Sequence, residues 1–278
     1  KDLKEALGLL KNTHNLMGIV LDMRENSGGF LTQAIKVSKL FIPSGLIVIT
    51  KYANEELSYS QDVDGRQSYN GPLIVLTSKA SASAAEVVAQ ALQDFGVGLV
   101  VGDKRSFGKG SMQYQTLTDE KSEAFFKVTV GRYYTASGRS PQIEGVKADI
   151  VVPTSFFPFK IGERYLQFPI PSDYLSTDAF LSLKKVRKGG SKEIKQWVVP
   201  YLQPRESRWR QMLPQLVENS SKRLKESVNF QSFLKIAQNK RVNKSNLSYV
   251  PDLDEKNIGS EDLQMQEALE IVKDMVFL

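Results

Sequence analysis

Residues 73–102 read LIVLTSKASASAAEVVAQALQDFGVGLVVG, and their pattern decides the fold class. Leu73–Thr77 is short, apolar and preceded by Gly71-Pro72, as a buried strand is. Val87, Val88, Ala91, Leu92 and Phe95 then recur at helical spacing, and Gly98–Gly102 returns to a second buried strand. A strand, a helix and a strand in succession imply parallel pairing and an α/β layer.

Working outward, Met17–Met23 and Leu46–Tyr52 read as further buried strands of this alternation, and Leu31, Ile35, Val37, Leu40 and Phe41 suit a helix between them. Ala124–Tyr134 is longer and richer in aromatic and β-branched residues, as in an antiparallel strand. After Pro153 the character changes. A Phe- and Pro-rich passage from Ser155 to Pro171 gives way to Lys-rich helical patterns, broken at Gly189-Gly190, Pro204 and Pro214. Val228–Ala237 and Glu261–Val276 read as amphipathic helices, and Arg241–Gly259 as a long polar connection. The expected organisation is an α/β domain over residues 1–155 and a mainly α-helical C-terminal domain over 156–278.

Composition narrows the chemistry. The 278 residues are 41% apolar and 24% charged, which supports a substantial core. No apolar run approaches the roughly 20 residues that span a bilayer. The opening Lys1–Leu7 reads as an amphipathic helix start and not a signal peptide, so the chain is expected to be a mature fragment or an excised domain. Cysteine is absent, which excludes disulfides, thiolate nucleophiles and Cys-based metal sites. The one histidine, His14, lies in a polar stretch before a strand and reads as a surface residue. A Ser-His-Asp enzyme would have to use it, and a zinc site would have at most this one imidazole. The net charge of +6 comes mostly from residues 155–278, with 20 Lys and Arg against 15 Asp and Glu. Acids interleave with these bases at helical spacing, so a solvated helix face is expected and not a nucleic-acid surface.

Three segments could carry chemistry. In Ala80–Glu86 (ASASAAE) small residues crowd the junction between strand and helix. Ser83 there would sit at a helix N-terminus, where free N–H groups and the dipole favour the oxyanion of an acyl transfer. The same Ser83, with Glu86 three residues on, also suits an ordinary capping box. In Ser106–Gln113 (SFGKGSMQ) glycines flank Lys109 just after a buried strand. A desolvated lysine loses its proton more readily, and the neutral amine can serve a serine nucleophile as base. Gln113 is placed to hold that amine. A phosphate-binding loop is excluded: five residues separate Gly102 from Gly108 where that motif has four, and Gly110 stands where Ser or Thr binds magnesium. In Leu21–Gly29 (LDMRENSGG) a strand ends in a polar turn with two glycines before a helix. Gly28 and Gly29 could supply one half of an oxyanion hole there, with the Ala84 N–H as the other. An ordinary β–α turn fits that stretch equally well.

Taken together, Leu21–Ile42, Ser81–Gly102, Phe107–Gln113 and Val130–Ile150 resemble the tail-specific, C-terminal-processing proteases, a Ser/Lys peptidase family, in the family's order over about residues 17–153. The resemblance implies a crotonase/ClpP-like spiral α/β protease core with Ser83 as nucleophile, Lys109 as base and Gln113 as the base's support. It implies oxyanion donors at Gly28, Gly29 and Ala84. Ala85 stands where many members have serine, and Asp103–Ser106 runs one residue longer than usual before Phe107. The expected partners are protein or peptide substrates with apolar C-termini, with no cofactor, metal or nucleic acid, and with a homo-oligomer left open. The family's PDZ module lies upstream of its core, so the chain is expected to begin after it. The basic region after residue 155 is similar to the C-terminal extension of the larger Gram-negative branch, which implies a periplasmic, cell-envelope location. Two rivals remain: a non-catalytic peptide-binding module on the same core, and an acyl-CoA enzyme of the crotonase type, in which a Ser/Lys pair would have no role.

Overall fold

A computed structural model describes residues 1–13, 15–62, 66–117, 125–175, 208–243 and 262–278. In chain order its elements are α1 (Asp2–Thr13), β1 (Ile19–Asp22), α2 (Leu31–Ser38), β2 (Gly45–Tyr52), β3 (Leu57–Asp62), β4 (Leu73–Thr77), α3 (Ala84–Phe95), β5 (Leu99–Gly102), β6 (Ser111–Leu117), β7 (Phe125–Thr135), β8 (Ile150–Val151), α4 (Arg208–Glu226), α5 (Val228–Asn243) and α6 (Leu263–Phe277).

The strands form two four-stranded sheets. One has the order β1-β4-β5-β8 and is parallel throughout, with Leu21 opposite Val75 and Val75 opposite Val100. The crossover from β4 to β5 runs through α3, as the alternating pattern of residues 73–102 predicts. The second sheet, order β3-β2-β7-β6, is antiparallel. Here Leu46–Tyr52 departs from expectation, for β2 lies in this sheet and not in the parallel layer. The reason is local. After Tyr52 the chain turns back within a few residues, with Tyr52 N–H donating to the Glu56 carbonyl, so no helix intervenes and the next strand must run antiparallel.

Both faces of the parallel sheet are covered, which is why its strands are apolar without alternation. Along β4, Leu73 and Val75 face a cluster with Val87, Val88 and Leu92 of α3 and with Ile47 and Val48 of β2. Ile74 and Leu76 point the other way. They meet Leu99, Val101 and Ile150 together with Trp209, Leu216, Phe230, Phe233, Ile271 and Met275 of the three C-terminal helices. Each such side chain, fully buried, contributes about 1.5–3 kcal/mol.

Pro214 does not break the helical pattern as its sequence suggests: α4 runs from Arg208 to Glu226 with Pro214 inside it. The lost backbone hydrogen bond is offset by packing, since Trp209 and Leu216 on either side are both buried. His14, Gly189-Gly190, Pro204 and most of the connection expected over 241–259 lie outside the described residues. No helix of the described residues is long and apolar enough to cross a membrane.

Candidate active site

Ser83 caps the N-terminus of α3 with φ 55 and ψ −117. A non-glycine residue in that region costs of order 1–3 kcal/mol and persists only where its surroundings enforce it. The enforcement is visible. Ser81 Oγ donates to the Met23 carbonyl at 2.8 Å and accepts the Ser78 N–H at 2.9 Å. Ser78 Oγ donates to the Arg24 carbonyl, and the Ala82 N–H donates to the Asn26 carbonyl at 3.0 Å. The run of Ser and Ala that looked merely small is what lets the β4–α3 and β1–α2 turns lie one on the other.

Gly28 takes φ +115, and a Cβ built on it would lie 2.7 Å from the Ser83 Cβ and 3.2 Å from the Ala84 nitrogen. Only glycine allows this approach. The two glycines differ in what their N–H groups can do. The Gly28 N–H donates to Asn26 Oδ1 at 2.9 Å. The Gly29 and Ala84 N–H groups have no acceptor among the described residues. Of the two glycines, therefore, only Gly29 keeps its N–H available to a further acceptor, and Gly28 contributes the close approach that its missing side chain allows.

Glu86 binds the site together. Its side chain is fully buried, and its two oxygens receive donors from two loops. Oε2 accepts the Ser83 N–H at 2.9 Å and the Lys109 N–H at 2.8 Å. Oε1 accepts the Gly108 N–H at 2.7 Å and the Ser106 hydroxyl. The capping-box role foreseen for Glu86 is thus half of its work. Burial pushes its carboxyl up to about 7, while the hydrogen bonds from Ser106, Gly108, Lys109 and Ser83 pull it the other way.

The Lys109 loop is held from several directions. The Phe107 N–H donates to the Ser81 carbonyl at 3.0 Å, and the Gly110 N–H to Gln142 Oε1 at 2.8 Å. Lys109 Nζ donates to Ser111 Oγ at 3.2 Å. Gln113, expected to hold this amine, sits in β6 with its side chain exposed, one residue past an irregularity in the β6–β7 register. The amine's partner in the structure is Ser111 instead.

Tyr133, unremarked in the sequence beyond its place in Val130–Ile150, completes the cluster. Its hydroxyl donates to the Lys109 carbonyl and also meets the Ser83 side chain. Burial, then the Glu86 charge, holds the phenol well above its ordinary value, so it stays protonated. Nothing short of the tertiary structure marks Tyr133, whereas Ser111 stands two residues from Lys109 in the Ser106–Gln113 stretch, where the resemblance points to Gln113 instead. The arrangement presents a strained serine, free backbone N–H groups beside it and a lysine whose loop shares an acceptor with the serine. Such a set suits acyl transfer.

The profile described as peptidase family S41 matches residues 1–152. A tail-specific protease of Haemophilus influenzae is 35% identical over 159 residues, covering 55% of this chain and 23% of that protein. A carboxy-terminal-processing protease of Bartonella bacilliformis is 37% identical over 177 residues, covering 63% of this chain and 37% of that protein. A solved structure titled photosystem II D1 C-terminal processing protease is 31% identical with a TM-score of 0.47, covering 54% of this chain and 38% of its own. The chain spans well under half the length of these relatives.

Proposed function

The chain belongs to peptidase family S41, and on that premise we propose that it is a serine endopeptidase in which Ser83 attacks and Lys109 is the base. The single observation that carries the reading is the shared carboxylate oxygen: Glu86 Oε2 accepts both the Ser83 and the Lys109 N–H, so the two residues are held side by side.

The steps follow from elementary chemistry. Neutral Lys109 takes the Ser83 proton as Oγ forms a bond to the substrate carbonyl carbon. The Gly29 and Ala84 N–H groups receive the oxyanion, each worth about 2.7–4 kcal/mol in the transition state. Collapse breaks the C–N bond, and Lys109 returns its proton to the leaving amine. Water then attacks the acyl-enzyme, again losing its proton to Lys109, and releases the acid and Ser83. Lys109 must rotate from Ser111 toward Ser83 to begin. In this scheme Ser111 takes the orienting role that the family resemblance gives to Gln113.

The names of the relatives support substrates cleaved near protein C-termini, and we extend this to apolar tails. The rest of the proposal is a spiral α/β protease core over residues 1–155 followed by a helical part over 156–278, in a bacterial envelope setting. A rival reading, a peptide-binding module without turnover, draws support from the resting contacts of Lys109 with Ser111 and of Ser83 with Tyr133. One experiment separates the two. The purified chain should cleave an unstructured protein with an apolar tail, and Ser83→Ala and Lys109→Ala should each remove turnover without lowering the melting temperature. Turnover retained in either variant, or none in the native chain with intact binding, rejects the peptidase reading.

A further inference from the structure

The peptidase family profile ends at residue 152, yet a side chain far beyond it grips the turn that leads to the oxyanion glycines. Arg24 begins that turn, directly after β1. Its guanidinium donates to both carboxylate oxygens of Asp262, at 2.8 Å from Nη1 and 2.5 Å from Nη2. Nε donates to Asp22 at 3.0 Å, and the Asp22 carboxylate also accepts the Arg24 N–H. The Arg24 side chain is 16% exposed and that of Asp262 41%, so water screens the pair in part, and what the fork supplies is chiefly direction.

Asp262 has a second task. Its Oδ1 accepts the Met265 N–H at 3.0 Å and so caps the N-terminus of α6. The neighbouring Gln264 accepts from Arg24 Nη1 at 3.4 Å and donates to the Pro153 carbonyl at 3.2 Å. One carboxylate thus fixes the start of the C-terminal helix and the side chain of Arg24 together. The other end of Arg24 is fixed as well, because its carbonyl receives the Ser78 hydroxyl from the loop that leads to Ser83. The path from Asp262 to the site has no gap: carboxylate, guanidinium, Arg24 backbone, then Asn26, whose side chain holds the Gly28 N–H and whose carbonyl receives the Ala82 N–H.

We propose that Asp262 is a positioning residue for the peptidase site: through Arg24 it holds the Arg24–Gly29 turn in the register that presents the Gly29 N–H beside Ser83. The inference rests on the peptidase reading for its consequence in turnover, and on geometry alone for its consequence in order. Asp262 is not a catalytic residue, since it touches none of the reacting groups. Its contribution should appear in how well the turn is held and in the chemical step, not in substrate affinity.

The test uses the full chain and Asp262→Asn, which keeps an N-cap but removes the charge that pairs with Arg24. Amide hydrogen exchange should quicken about tenfold at residues 24–29 while β4 and α3 stay as protected as before. With a tail-bearing peptide, kcat should fall roughly 10- to 100-fold with KM within twofold, as small misplacements of oxyanion donors do. Arg24→Lys, which keeps the charge but loses the fork, should reproduce both effects, and Asp262→Glu should restore part of each. Unchanged exchange at 24–29 overturns the proposal, and so does a rise in KM with kcat intact. Global loss of protection in Asp262→Asn passes the decision to Arg24→Lys, read by the same criteria. Should the native chain lack turnover, the peptidase reading fails while the exchange data still decide whether Asp262 orders the turn.

Discussion

Gly28 and Ser83 lie so close that a methyl group on the Gly28 α-carbon would stand 2.7 Å from the Ser83 Cβ. The glycine also holds φ +115, which an L side chain rarely adopts. Gly28→Ala must therefore push the Gly28–Gly29 turn off Ser83 or distort Ser83 itself. A loss of at least about 100-fold in kcat is expected, since displacements near 1 Å have that effect. The melting temperature should fall only modestly, because strain of this kind costs about 1–3 kcal/mol. Steady-state kinetics beside thermal melts would decide it, and native-like kcat in Gly28→Ala would remove the Gly28–Gly29 turn from the mechanism.

The amine of Lys109 rests on Ser111 and not on Gln113. Ser111→Ala is accordingly expected to lower kcat by about tenfold, the effect of one hydrogen bond worth ~1.4 kcal/mol. Gln113→Ala should change it by less. The opposite order in a side-by-side kinetic comparison would return the orienting role to Gln113.

Glu86 receives four donors on two oxygens, an arrangement that an amide cannot match. Glu86→Gln would set an NH2 group against two of them and leave buried donors without acceptors, at about 1–3 kcal/mol each. Lower stability and loss of turnover together are expected, measured by denaturant unfolding and peptide cleavage.

The pH dependence has a definite sign. Glu86 is raised from an ordinary 4.5 to about 7 in the folded chain, so between those values the native state binds more protons than the unfolded one. Stability from this group is complete below about 4.5 and is lost as pH rises to about 7. Turnover should move the opposite way, rising through neutrality as Glu86 ionises to accept all four donors. Unfolding free energies of the native chain relative to Glu86→Gln, taken from pH 4 to 8, should decline across that window. A flat difference would count against the titration.

Removing residues 158–278 is expected to prevent folding and not merely to alter cleavage. Ile74, Leu76, Leu99 and Val101 would lose Trp209, Leu216, Phe230, Phe233 and Ile271, exposing one whole face of the parallel sheet. Size-exclusion chromatography and circular dichroism of the shortened chain would show aggregation or loss of structure. A monomeric, cooperatively melting product would mean that the helices steer substrate instead.

Much of the fold was legible because its signals are local. The apolar run and helical spacing of residues 73–102 specify β4, α3 and β5 without reference to anything distant, and the family match over residues 1–152 agrees with the resemblance seen in the ordered blocks. The placement of Leu46–Tyr52 was not legible, because a buried strand reads alike in either sheet and only the tight return after Tyr52 decides its partner. Pro214 misled because propensity speaks for the backbone alone and not for the buried Trp209 and Leu216 that carry the helix through. At the site, Ser83 and Lys109 stand out in the sequence only when the ordered blocks of the family resemblance are combined, since Ser83 with Glu86 reads as well as a capping box. The contacts of Tyr133 and Asp262 were not legible, since each depends on segments distant in the chain, whereas Ser111 lies only two residues from Lys109 and its contact is local.

The double grip of Glu86 makes the centre vulnerable at one point. An inhibitor lodged behind the Ser106–Lys109 loop, or a substitution there, would drag Ser83 and Lys109 out of register at once without meeting either. Substitutions at Ser83 or Lys109 themselves would not relieve such a blockade, for the lever is the buried Glu86 carboxylate.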